Sequence, residues 1–235
     1  MSTIYTVNGK VLKNADNGKW LTKKESLVLP GWTIRIKMEA GSSQPSISGA
    51  EVTPVAGQED VYDVRTTGRY EIWGGMFTSS IHVTEILGAN VWDDNHTKVA
   101  KMTAMCQNCS TLTKVAAFDA NDVQEMGACF QGTSITSIPA LGYASVTTAG
   151  DLFKGCTALT EIPATFELPS ATNVGGIFNG CVNVESGALA LYNKLSALGG
   201  QIMAHGYAFA DCGSNTVTGA AELAQIPSSW GGTGA

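Results

Sequence analysis

The chain has 235 residues and a mass of 24.5 kDa, with 14 Lys+Arg against 20 Asp+Glu; 14% of its residues are charged and 44% hydrophobic. An ordinary soluble domain is about 25% charged, so this composition excludes a disordered acidic chain, a long charged coiled coil and a strongly basic nucleic-acid binder. The net charge of −6 is uneven: Lys10, Lys13, Lys19, Lys23, Lys24, Arg35 and Lys37 face only Asp16 and Glu25 up to residue 37, a net +5 that leaves −11 for the remainder.

The first elements in chain order read as strands. Asn8-Gly9 between Ile4-Tyr-Thr-Val7 and Lys10-Val-Leu12 is a two-residue hairpin signal, and Asn17-Gly18 offers a second turn before Lys19-Trp-Leu21. Thr33-Ile-Arg-Ile-Lys-Met38 and the stretch around Val61-Tyr-Asp-Val64 alternate polar and apolar, with turn chemistry at Gly41-Ser-Ser-Gln-Pro45 between them. Residues 1–37 are therefore expected to form a basic β-hairpin arm, with Lys10, Lys13, Lys19, Lys23 and Lys24 as candidate docking residues for an anionic partner. Residues 38–80 are expected to be a β-rich module that caps the C-terminal two thirds of the chain, bounded near Trp73-Gly-Gly75. The first ten residues lack an apolar signal region and no stretch approaches 18 apolar residues, so neither export by that route nor membrane insertion is expected.

From residue 81 the chain repeats. Phe130-Gln-Gly-Thr133, Phe153-Lys-Gly-Cys156, Phe178-Asn-Gly-Cys181 and Phe209-Ala-Asp-Cys212 are one motif, and Cys106-Gln-Asn-Cys109 occupies the preceding register, at spacings of 24, 23, 25 and 31 residues. Upstream columns keep phase: Val99, Val123, Val146 and Ala171; then Met102, Met126, Ala149 and Val174; then Met105, Cys129, Leu152 and Ile177. That i, i+3, i+6/i+7 stripe predicts a helix of about two turns, started by Asp122, Ser145 and Ser170 and ended at Gly155 and Gly180. Short strands are expected at Val83-Thr-Glu-Ile86, Leu112-Thr-Lys-Val115, Ile135-Thr-Ser-Ile138 and Leu159-Thr-Glu-Ile162. The fold class this predicts is α/β: a leucine-rich-repeat solenoid of about five short strand–helix units over residues 81–213, with 214–235 as C-terminal cap and tail.

At these residues the chain resembles the BspA-like leucine-rich repeats, through units such as Leu159-Thr-Glu-Ile-Pro163 followed by Ile177-Phe-Asn-Gly-Cys181. Departures are Cys106 in place of Phe, Thr133 in place of Cys, and a lengthened last unit carrying His205. Members of that family are bacterial surface adhesins or proteins encoded by phages of gut bacteria. The stretches Lys10 to Trp20 and Leu29 to Lys37 are similar to leaders of the phage-encoded proteins. The resemblance implies a non-catalytic virion structural or adhesion protein: capsid decoration, head fibre or tail-associated. Its N-terminal module would dock to capsid or tail proteins, and its repeats would meet a host glycan or protein, singly or as a homo-oligomer. A bacterial cell-surface adhesin is the alternative, and a glycan hydrolase a second.

The chemistry-bearing residues support no enzyme. Cys106-x-x-Cys109 is half of a zinc or redox motif without a second pair. It lies in columns otherwise filled by Phe and Cys, so all six cysteines (106, 109, 129, 156, 181 and 212) are expected to be buried free thiols. His82, His96 and His205 do not cluster with carboxylates, and Asp93-Asp-Asn-His96 and Asp119-Ala-Asn-Asp122 lack the glycine and distal Glu of a calcium loop. No catalytic residue, metal or cofactor is expected. The candidate binding face is the set of outward strand positions Thr84, Glu85, Thr113, Lys114, Thr136, Ser137, Thr160 and Glu161, whose hydroxyls and sparse charge suit a polar partner.

Overall fold

A computed structural model describes residues 4–7, 10–14, 33–66, 74–91 and 99–235. β1 (Ile4–Val7) and β2 (Lys10–Asn14) pair antiparallel with Val7 opposite Lys10. A second, five-stranded mixed sheet is built from β3 (Thr33–Met38), β4 (Ala50–Pro54), β5 (Val61–Thr66), β6 (Val83–Asn90) and β7 (Lys114–Val115), in the order β4-β5-β3-β6-β7. Only β6 and β7 are parallel. The alternation of β3 explains its central place: Ile34, Ile36 and Met38 are buried on one face, while Arg35 on the other forms a bidentate pair with Asp63 of β5 at 2.6 and 2.7 Å. This sheet crosses the boundaries drawn at 37/38 and 80/81. The turns at Asn8-Gly9 and Asn17-Gly18 lie outside the described residues.

The sheet overturns the expected fold class. Over the described residues the chain is a small sheet-dominated domain with two short α-helices, α1 (Ala188–Ser196) and α2 (Val217–Leu223), not a leucine-rich-repeat solenoid of strand–helix units. The apolar columns are buried as their phase requires, with Val99, Met102, Val123, Met126, Val146, Ala149, Ala171 and Val174 all at 0% exposure. Their backbone, however, is a run of overlapping turns. Met105, Gln107 and Cys109 N–H groups bond three residues back, to Met102, Ala104 and Cys106, at 3.1–3.2 Å. The alternate N–H groups of Met102, Ala104, Cys106 and Asn108 instead reach the next copy, at the Glu125, Gly127, Cys129 and Gln131 carbonyls, at 2.7–2.8 Å. Every fourth residue also takes a positive φ: Ala104 and Asn108, Ala128 and Gly132, Asp151 and Gly155, Gly176 and Gly180. A right-handed helix accommodates neither pattern.

The strands fade for a separate reason. Val83–Ile86 lies within β6, but of the later segments only Lys114–Val115 is a strand. Ile138 and Ile162 are each followed by proline, Pro139 and Pro163, which has no N–H to give a ladder. What remains is the Thr136 N–H on the Thr113 carbonyl at 3.4 Å and an isolated parallel bridge between Glu161 and Ser186. Ser170 starts no helix either, its hydroxyl donating to the Ala144 carbonyl one copy back at 2.7 Å.

The copies nevertheless stack as successive rungs. Parallel bridges join Lys101, Glu125, Thr148, Asn173 and Ala204 in a row, and Phe130, Phe153, Phe178 and Phe209 stack with ring centroids 5.8, 5.3 and 6.3 Å apart. Residues 75–80 add an earlier rung: the Gly75, Phe77 and Ser79 N–H groups donate to the Thr103, Met105 and Gln107 carbonyls at 2.7–3.0 Å. Phe77 thus heads the Phe column, and the sheet and the rungs share one core. At the far end the Trp230 carbonyl accepts from Phe209 N–H at 2.9 Å, within the 214–235 segment.

Candidate binding face

Five of the eight expected face residues gather where the sheet meets the rungs. The Thr84 hydroxyl donates to the Lys37 carbonyl at 3.2 Å, the Thr113 N–H and hydroxyl both donate to the Thr84 carbonyl at 3.0 and 3.2 Å, and Thr136 N–H follows on Thr113. Beside this hydroxyl row runs a charged one. Glu85 of β6 lies between Lys37 of β3 at 3.5 Å and Lys114 of β7 at 3.7 Å, as the registers Lys37↔Glu85 and Glu85↔Lys114 demand. Thr84 and Glu85 are half-buried and Thr113, Lys114 and Thr136 exposed. Ser137, Thr160 and Glu161 are exposed too, but Thr160 and Glu161 are held instead by Glu185 and Ser186. Such exposed ion pairs contribute about 0–1 kcal/mol each, so the row orients charge more than it stabilises.

Lys37 belongs to this face although it falls within the arm expected over residues 1–37; its alternation with Ile36 and Met38 is the signal that places it in a strand. Of the arm residues, Lys13 lies opposite Tyr5 and Lys10 opposite Val7 on β2, while Lys19, Lys23 and Lys24 fall outside the described residues. His96 and the Asp93 loop fall outside as well. His82 pairs with Glu39 at 3.1 Å, and His205 stacks on Trp230 with centroids 4.3 Å apart. Asp119 accepts from the Asn121 N–H at 3.0 Å and its side-chain amide at 2.9 Å, an Asx turn.

A shallow cleft of about 390 Å³ was not anticipated from sequence. Ile138, Pro139, Tyr143, Pro163, Phe166 and Pro169 line its apolar part. The Tyr143 hydroxyl is spent on the Pro139 carbonyl at 2.8 Å, and burial raises its pKa well above the ordinary phenol value. Glu167, its carboxylate, is paired with Lys194 at 2.7 Å. That set offers an apolar contact surface and one compensated charge, not an acid–base pair.

The six cysteines are free and buried. Those at positions 109, 156 and 181 share one bond: each thiol donates to the Phe-column carbonyl one rung back, at Phe77, Phe130 and Phe153, at 2.6–3.0 Å. Burial pushes Cys156 up to about 11 and Cys212 up to about 12, and carries Cys129 and Cys181 higher still. Compared with protein-family models, with curated proteins and with solved structures, the chain matches none.

Proposed function

We propose that this protein is a non-catalytic virion structural or adhesion component. The N-terminal hairpin, with Lys10 and Lys13 on β2, docks it to other particle proteins, and the rung stack is displayed outward toward a host-surface glycan or protein. The observation that supports this reading best is the double row on one face. Thr84, Thr113 and Thr136 are fixed by backbone bonds across neighbouring strands and rungs, and Glu85 is clamped between Lys37 and Lys114. Hydroxyls and charges on a rigid frame suit hydrogen bonding to a polar partner at little ordering cost. The resemblance of the repeated units to the BspA-like repeats, and of Lys10 to Trp20 and Leu29 to Lys37 to leaders of phage-encoded proteins, points the same way.

Mass spectrometry of gradient-purified particles tests the location. The protein is expected at stoichiometric copy number; its presence in lysates but absence from particles would overturn the reading. The face is tested by adsorption of particles carrying Thr113→Ala with Lys114→Ala, expected to fall at least tenfold with unchanged particle assembly.

A further inference from the structure

Cys106 and Cys109 occupy the two ends of one turn, closed by the Cys109 N–H on the Cys106 carbonyl at 3.1 Å with Asn108 at φ 58°. The ends of a β-turn lie within about 7 Å, Cα to Cα, the span that a disulfide bridges. Both thiols are buried, and Cys106 holds the neighbouring Cys109 below the ordinary thiol value, opposed by burial and aided by the Ser80 backbone. No other rung offers such a pair. Three residues before Cys156, Cys181 and Cys212 stand Phe153, Phe178 and Phe209, so each of those thiols lacks a partner in its own turn.

We propose that Cys106 and Cys109 are a redox-active dithiol that closes to a disulfide within a single turn and thereby controls the attachment of the first rung. With hydrogen peroxide as oxidant, the Cys109 thiolate attacks one oxygen. The O–O bond breaks, and hydroxide leaves as water with the thiol proton. The Cys106 sulfur then displaces water from the resulting Cys109 sulfenic acid as the S–S bond forms. Two thiols lose two electrons and two protons, and the peroxide becomes two waters. Both thiols are buried, so the reaction runs at the rate of local opening. Closure removes the 2.6 Å thiol bond from Cys109 to the Phe77 carbonyl, one of the ties between the second rung and the first.

The test is peroxide treatment of the native full chain, alkylation in denaturant and tryptic digestion. Cys106 and Cys109 share the peptide 102–114, while Cys129 lies on 115–154. The expected product is peptide 102–114 lighter by two hydrogens and unalkylated, with the other four cysteines alkylated. Amide exchange at Phe77 and Ser79 should rise at least fivefold. Cys106→Phe, which restores the residue usual in that column, and Cys106→Ser should both abolish the closed peptide, and Cys129→Ser should leave it intact. The proposal fails if peptide 102–114 keeps two alkyl groups at doses that fully oxidise dithiothreitol. It fails equally if the disulfide joins 102–114 to 115–154, or if exchange at 75–80 does not change on closure.

Discussion

At the position three residues after the Phe column, the rungs need a side chain small enough for the interior yet able to donate one hydrogen bond to the carbonyl one rung back. Cysteine meets both needs at positions 109, 156 and 181. Thr133 shows what happens otherwise, for its hydroxyl turns to its own rung's Phe130 carbonyl at 2.9 Å and leaves that carbonyl shared with Cys156. Because burial favours the neutral thiol at Cys156 and Cys212, these two link stability to pH. In the unfolded chain a thiol ionises near pH 9, whereas Cys156 and Cys212 are pushed up to about 11 and 12 by burial, with Glu222's charge adding to the effect at Cys212. Above pH 9 the unfolded state therefore binds fewer protons than the native one. The stabilisation is present in full below that pH and is lost as pH rises toward 11 to 12. Thermal melts should show a midpoint falling steadily from pH 9 to 11, and a flattened slope in Cys156→Ala.

Elements hold one another by single well-placed groups. Gly187, the residue that caps α1, sits at φ 97° and has no side chain to offer the helix start. The N–H groups at Gly187 and Leu189 are taken by the Glu222 carboxylate of α2, at 3.2 and 3.0 Å. Glu222→Ala should cost about 1–2 kcal/mol, read as a lower urea midpoint at unchanged slope. In the Phe stack, Phe153 contacts Phe130, Phe178 and the edge of Phe166, so Phe153→Ala should cost about 3–5 kcal/mol by the same measurement. The columns were legible in the sequence because burial imposes phase whatever the backbone does. The helix was not, because an i, i+3 stripe is shared by a helix and by consecutive turns; the alternate N–H bonds to the next copy and the positive φ at non-glycine residues such as Ala104, Ala128 and Asp151 separate them, and neither leaves a mark in the apolar pattern. The first rung escaped notice since Phe77-Thr-Ser-Ser80 keeps only the Phe of the motif and stands 29 residues before Cys106. On the face, Thr84, Glu85, Thr113 and Lys114 were legible because true strands carry or flank them. Thr160 and Glu161 did not join them because Pro139 and Pro163 end the ladder.

For the whole molecule, the sheet and the rungs form one body with a continuous core from Ile34 to Trp230. The strands and the first rung that lie before residue 81 are therefore structural parts of that body. A fragment starting at residue 81 loses β3, β4, β5 and the first rung, and uncovers Val83 and Ile86, both 1% exposed in the full chain. It should be insoluble or lack the far-ultraviolet signature of the parent, as size exclusion and circular dichroism would show; independent folding of that fragment would mean that the sheet is an accessory.

Along the turns of the stack, N–H groups at 75, 104, 128, 151 and 176 donate forward to carbonyls at 103, 127, 150, 175 and 206, whereas those at 124 and 125, 147 and 148, 172 and 173, and 203 and 204 donate backward, as do those at 113, 136 and 185 beside the short strands. Peptide dipoles aligned head to tail add, as they do in an α-helix. The forward-donating turns thus form a polar row without any formal charge: partial negative where the carbonyls of the first rung end it, partial positive at the last rung. There the Trp230 carbonyl accepts the Phe209 N–H, so a residue outside the repeats closes the positive end of the row.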